Sequence, residues 1–529
     1  MDLPETSRHS GASIPRRLRT PRAYRICDGF TEAVLYSAII FAPWAFGTTE
    51  PWSIWTMNVA GFVLGALLLG KWLIRWRTGY APVRWEAANG EDERLKAEGR
   101  MRELRDGGRH TWPISRLLTI ALAVLTVLVL AYSFVSAVNA RSTFFYHTMS
   151  FEPHDHIAWL PHSYDSWATW QSFWMYLGLA LTFWATRDWL LGKTSKERRE
   201  ERDQADRSIL PARLRRLLWV FCLNGGLLAL ECILQRLSGT NKLLWLLEPT
   251  INRSPEAQFG PYAYRSNAAQ YFNLLWPVCL GFWWMLRHEA RGSRRAAPAR
   301  LGSGPHILLL PCAIFMAAAP IISTSRGGAI VAAGSLLVAL TLLSLFRQRG
   351  GHWLTRLGIP FLVAATLGLA GYLGWEKLEG RLQNIFSDNL SGRTEIYRNA
   401  EQMARDFPLF GTGPGTFPWV YHLYRADAQA KWAAYAHNDW LETRITLGWA
   451  GFSLVLALLS IMLARGFAGG GIRAQGLFVA MLWLAEAGCL IHARFDFPFQ
   501  IYSTLALFLH WCAVLFCLSR TPESFARPA

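Results

Sequence analysis

The sequence predicts an all-α polytopic membrane protein with about 12 transmembrane helices, and three observations predict it. Of 529 residues, 52% are hydrophobic and 14% aromatic, and the apolar residues gather in long blocks and not at the spacing of a soluble core. A helix needs roughly 20 mostly apolar residues to cross a hydrocarbon core about 30 Å thick, and many blocks reach that length with few charges inside. In lipid the backbone must bond internally, which makes these blocks helices. The net charge of +17 follows the same plan, because most of the 54 Lys and Arg residues fall between alternate spans, where the positive-inside bias puts cytoplasmic loops. Nucleic acid is therefore an unnecessary partner, and membrane lipids are the expected surroundings.

A basic leader, residues 1–30, carries Arg16, Arg17, Arg19, Arg22 and Arg25 ahead of the first apolar run and reads as a cytoplasmic segment without a cleavable signal peptide. The membrane domain of residues 31–375 then holds spans one to nine. The first runs from about Thr31 to Phe46 and turns through Gly47–Pro51 into a second ending near Trp76. Arg77–Pro113 mixes both charge signs and reads as a solvated cytoplasmic loop. Span three, Ile114–Val138, opens to an outer loop through about Ser166, and span four returns by Leu191 to a basic stretch. Span five covers about Leu217–Leu237, and span six about Ala268–Arg287, after an outer loop through Asn267. Spans seven and eight, His306–Ile322 and Ala329–Phe346, are joined by the tight Ser323–Gly328 turn, and span nine is Leu357–Trp375.

The longest outer segment, residues 376–443, is too long for a structureless connection and is expected to be partly helical. Gly392 to about Asp406 has helical composition and stops before Pro408. Gly411–Gly415 is a turn, and a second helix starts near Ala436 and enters span ten. Residues 444–519 hold spans ten to twelve, near Arg444–Leu463, Gln475–Ile491 and Ile501–Leu518, with an outer connector at His492–Gln500. Residues 520–529 form a cytoplasmic tail. All eight cysteines lie in or beside apolar spans and read as free thiols packing as small apolar groups.

Ionisable groups at the membrane edge are the candidate functional residues, since a charge leaves water only at a cost of several kcal/mol unless a partner offsets it. Arg326 sits among small residues between two apolar spans, where a guanidinium binds phosphate oxygens in a bidentate fork. The alternative is an anchor that snorkels to lipid headgroups. Arg265, in the Phe259–Asn267 turn, could share a diphosphate with it, or pair with a carboxylate as an ordinary loop cation. His437 lies where polar residues crowd the start of an apolar helix, and its imidazole could take a proton from an attacking hydroxyl or simply cap the helix. Asn438 and Glu442, four apart, read as support for that site.

The outer loop from Asn139 to Ser166 gathers His147, His154, His156 and His162 with Glu152, Asp155 and Asp165, but not at the spacing of a compact zinc motif. Gly411–Gly415 lacks the lysine and hydroxyl residue of a nucleotide-binding loop. No Asp-x-Asp pair suggests a metal-dependent nucleotide-sugar transferase.

The run Ser391-Gly392-Arg393, then Pro408 to Phe417 (PLFGTGPGTF), then Ala436 to Glu442 (AHNDWLE) and Leu447-Gly448 resembles the O-antigen ligase and polymerase superfamily. The turns at Ser323–Gly328 and Gly260–Asn267 are also similar to that family's, so the resemblance runs from about Phe259 onward. It implies a GT-C-like membrane architecture in a bacterial inner membrane. The activity it implies is a metal-independent, inverting glycosyltransferase without a cofactor, facing the periplasm. The donor it implies is a polyprenyl-diphosphate-linked saccharide, and the acceptor a glycan or lipid-glycan hydroxyl. By that analogy Arg265 and Arg326 hold the diphosphate and His437 activates the acceptor. Tyr264, Arg393, Asn438, Glu442 and Asp496 are further substrate-site candidates, with a plain ion pair among the charged ones as the alternative.

Within the family, an O-antigen or exopolysaccharide polymerase or a protein O-oligosaccharyltransferase stands beside the ligase reading. The rival from another class is a polysaccharide or lipid transporter or flippase, for which the acids inside spans, Glu231 and Glu486, are the residues to watch.

Overall fold

The computed structural model describes residues 20–84, 114–193, 210–294, 304–346, 389–425, 432–468 and 471–518, with short pieces between 364 and 383. Its helices are α1 (Arg22–Trp44), α2 (Pro51–Thr78), α3 (Ile114–Val138), α4 (Ser166–Leu191), α5 (Ala212–Ser238), α6 (Arg265–Arg294) and α7 (Leu309–Ile322). They continue as α8 (Arg326–Leu345), α9 (Asn389–Asp406), α10 (Phe417–Tyr421), α11 (Asp439–Ala468), α12 (Gly471–His492) and α13 (Tyr502–Leu518). Among the described residues, strands are confined to two short antiparallel pairs. β1 (Val83–Arg84) pairs with β4 (Gly192–Lys193), and β2 (Ser142–Phe145) pairs with β3 (Ser150–Pro153).

Among the described residues, seven helices are long and apolar enough to cross a membrane: α1, α2, α3, α5, α7 with its preceding turn, α8 and α11. The chain is an all-α polytopic membrane protein. Span nine, expected at Leu357–Trp375, lies mostly outside the described residues, as do most of the leader, the loop expected at Arg77–Pro113 and the tail. All eight cysteines are free, six of them buried, as expected for packing groups.

Several helices begin earlier than hydropathy indicates. α1 starts at Arg22 and not near Thr31, α6 at Arg265 and not at Ala268, and α8 at Arg326 and not at Ala329. Hydropathy marks the segment that lipid tolerates, whereas a helix is extended by polar residues that satisfy its first, unpaired N–H groups. Ser325 illustrates this as the cap of α8, its hydroxyl accepting a hydrogen bond from Gly328 N.

The core is formed by α5, α6, α7, α12 and α13, with Trp276 and Trp511 fully buried and the Trp511 indole donating to Leu274 O. At one end of the bundle, Lys71 is completely buried between Asp28 (3.4 Å) and Asp188 (3.1 Å), while Arg75 reaches Asp188 at 2.8 Å and Arg213 holds Asp28. This cluster ties together α1, α2, α4 and α5. The other end carries the loops, α9 and α10. There α9 lays Ile396, Ala400 and Met403, spaced i, i+4, i+7, onto Phe417, Val420, Ala436 and Ile445.

The segment after α9 is stitched into a break in α11. Gly448 sits at φ 60°, ψ −173°, interrupting the helix, and the N–H groups of Trp449 and Ala450 donate instead to Pro408 O and Leu409 O. Thr412 N and Gly413 N in turn donate to Ile445 O and Thr446 O. Every group freed by the kink named here finds a partner, as a low-dielectric setting demands. The expected turn at Gly411–Gly415 is present, with positive φ at Gly411, Gly413 and Gly415. A side chain at Gly411 would lie 2.5 Å from Ile445 O, so close backbone approach accounts for this run.

Candidate functional site

The stretch Ala436–Glu442 folds as a helix start with its caps built in. Asn438 Oδ1 accepts from Leu441 N at 3.3 Å, and Glu442 Oε2 reaches back to Ala436 N at 2.7 Å. Both side chains are buried. Their contacts are with this local backbone, so they hold the turn in shape. Asp439 fastens the same turn to the next connector, accepting from Phe499 N at 2.7 Å and from the Gln500 amide at 3.1 Å.

His437 is thereby held with φ 54°, in the left-handed region that non-glycine residues adopt sparingly. The Tyr397 hydroxyl of α9 donates to its carbonyl at 2.9 Å, and its ring lies edge-on to Phe497 at 4.9 Å. Nδ1 stands 3.0 Å from Asp496 Oδ1. A carboxylate accepts only, so this contact assigns the proton to Nδ1 and makes Nε2 the basic nitrogen of the neutral ring.

Asp496 is buried, and burial opposes its charge, yet the His437 hydrogen bond and the charge of Arg393 outweigh that penalty and hold its carboxyl down to about 2. Arg393, from the first turns of α9, donates to Tyr264 Oη at 3.3 Å, to Phe495 O, and stands 3.9 Å from Asp496. Burial works against its charge too, and the Asp496 carboxylate more than restores it. Tyr264 stacks on Phe497 at 5.5 Å, and burial, with Asp496 alongside, pushes its hydroxyl up to about 12. It is a proton donor at neutral pH.

Arg265 and Arg326 are each the first residue of a helix, α6 and α8. Arg265 donates to Glu256 O at 2.5 Å within its own loop. The two helix starts are joined where Ser266 and Ser325 share a hydrogen bond of 2.7 Å, and again where the Asn273 amide donates to Gly328 O at 3.0 Å. The two positive helix ends therefore lie side by side, each opening with an arginine, and Tyr264 of the same turn reaches the His437–Asp496 pair. All eight candidates read from the sequence fall at this end of the bundle, on the starts of α6, α8, α9 and α11 and the α12–α13 connector.

Sequence reasoning missed His492, the last residue of α12, which is 1% exposed and faces the start of α8. The available signal was an ionisable residue at the end of an apolar span. It also missed Tyr397, a solvent-compatible helix residue with no distinguishing context.

Of the outer-loop histidines, only His156 and His162 approach each other among the described residues, with ring centroids 5.3 Å apart. His154 bonds Thr143 at 2.8 Å and His162 bonds Leu160 O at 3.0 Å. Among the described residues, no group of three His, Cys, Asp or Glu side chains is placed to hold a metal. Of the two acids inside spans, Glu486 lies 3.8 Å from the Cys512 thiol, while the Glu231 oxygens are buried beside the Gly260 turn.

Residues 311–456 match the family model described as O-antigen ligase. Over that stretch the chain is similar to the O-antigen ligase family. The matched stretch contains Arg326, Arg393 and His437, and the fold brings Tyr264, Arg265 and Asp496 to it from outside. A search of curated proteins gave no match.

Proposed function

We propose that the chain transfers a saccharide from a polyprenyl-diphosphate carrier to an acceptor hydroxyl, at the periplasmic face of a bacterial inner membrane. The observation that carries this reading is the His437–Asp496 contact of 3.0 Å beside two arginine-started helices. Asp496 orients the imidazole and stabilises the imidazolium that forms, while His437 Nε2 takes the proton of the acceptor hydroxyl. The hydroxyl oxygen attacks the anomeric carbon as the bond from that carbon to the diphosphate oxygen breaks. The electron pair leaves with the polyprenyl diphosphate, and attack from the opposite side inverts the anomeric centre.

Charge develops on the leaving diphosphate, so fixed positive groups aimed there are worth more in the transition state than in the ground state. Arg265, Arg326 and the N-terminal ends of α6 and α8 supply them. Arg393 and Tyr264 position the dyad and line the approach to it. This use of the groups asks for neither a nucleotide nor a metal ion.

The test is incubation of purified protein with a polyprenyl-diphosphate saccharide and a panel of acceptors: lipid A core, a second lipid-linked repeat and a protein hydroxyl. Transfer to the core supports ligase action, and transfer to the repeat or protein redirects the reading to polymerase or protein glycosyltransferase. His437→Ala, Arg265→Ala and Arg326→Ala are each expected to abolish transfer while the protein still inserts and accumulates. Undiminished transfer by a protein carrying all three changes refutes the site.

A further inference from the structure

His492 occupies a place that its chemistry does not explain as packing. It is 1% exposed, and neither ring nitrogen has a hydrogen-bond partner among the described residues. Its Nε2 lies 3.0 Å from the point a Cβ on Gly327 would occupy, so the imidazole is pressed against the first turn of α8 directly after Arg326. Gln270, on α6, is 2% exposed, and its amide nitrogen and oxygen are likewise without a hydrogen-bond partner. It lies one turn beyond Ser266, on the face that meets α8 through Ser325 and Gly328. Buried polar groups are nearly always bonded to protein, water or ligand.

We propose that His492 and Gln270 form the inner wall of the donor site and donate hydrogen bonds to the oxygens of the lipid diphosphate. This rests on the function proposed above and deepens it. The N-terminal end of α8 is positive, and an imidazole N–H and an amide NH₂ are donors. That combination suits an anion with several acceptor oxygens. His492 and Gln270 are donor-binding residues that add directional bonds to the charge of the arginines.

The experiment measures equilibrium binding of sugar-free polyprenyl diphosphate and of polyprenyl monophosphate to the full chain purified in detergent. His492→Ala should weaken diphosphate binding by about tenfold or more, the worth of a hydrogen bond to a charged group, and should change monophosphate binding less. His492→Gln, which keeps a donor, should recover part of the loss. If His492→Ala does not fold, Gln270→Ala carries the same readout, and Gly327→Ala, whose methyl group displaces the imidazole, should act in the same direction. Wild-type diphosphate affinity in the folded His492→Ala or Gln270→Ala protein overturns the inference, while the function reading stands. No binding of the diphosphate by the unaltered protein fails the function reading first, and this inference with it.

Discussion

Asp496 ties the chemistry of the site to its stability, because its carboxylate is the common neighbour of His437 and Arg393. Its folded value of about 2 lies below the ordinary 3.8, so the stability it contributes is fully present above 3.8 and is lost as pH falls through 2. The difference in thermal midpoint between the unaltered protein and Asp496→Asn should therefore be widest above that range and shrink through it. A gap that does not change with acidification would dismiss the charged pair. For turnover, loss of the base in His437→Ala should remove at least the roughly 10²–10⁴ in rate that a general base supplies, leaving no detectable transfer. Asp496→Asn should cost less, since Nε2 remains. Equal losses would mean that the carboxylate does more than orient the ring. At this scale the sequence exposed His437, Arg265 and Arg326 through their setting at span ends. It could not show that Nδ1 meets Asp496, because that contact joins the end of the long outer segment to the α12–α13 connector.

Between elements, the kinked α11 and the segment threaded against it form the support beneath His437. A Cβ at Gly448 would stand 2.2 Å from Leu409 O, in a backbone conformation that side chains rarely take. Gly448→Ala is accordingly expected to destabilise by on the order of 1–3 kcal/mol from backbone strain alone, seen as a lowered thermal or denaturant midpoint. An unshifted midpoint would show that the kink is not required. Tyr132 Oη lies 2.7 Å from both Phe410 O and Leu447 O, clamping α3 to the two sides of this joint. Tyr132→Phe should cost about 1 kcal/mol by the same measurement, the usual net worth of one hydrogen bond. The glycine run was legible as a turn from composition. That it repairs a broken membrane helix was not, because the break and the repair lie on separate segments.

Across the whole molecule, polar strength is divided between the two ends of an apolar bundle. The site end carries the dyad and the arginines, and the opposite end carries the buried Lys71, Asp28 and Asp188 cluster. Asp188→Asn leaves Lys71 and Arg75 short of a counter-charge in a buried place and should cost about 3–5 kcal/mol. Glu32→Ala, breaking the more exposed 3.0 Å pair with Arg216, should cost no more than about 1 kcal/mol. Similar midpoints for the two variants would contradict the distinction.

By itself the sequence determined that the chain is helical and lies in a membrane, and it put the candidate residues at span ends. Those conclusions follow from local quantities: apolar length, charge placement and the residues that start a helix. Only the tertiary structure decided which span ends meet. It set Arg326 beside Arg265 through Ser325 and Ser266, His437 against Asp496, and His492 beneath Gly327. Lipid rewards every helix for being apolar but is indifferent to its neighbours, so side-chain packing and a few polar contacts at the rim choose the partners.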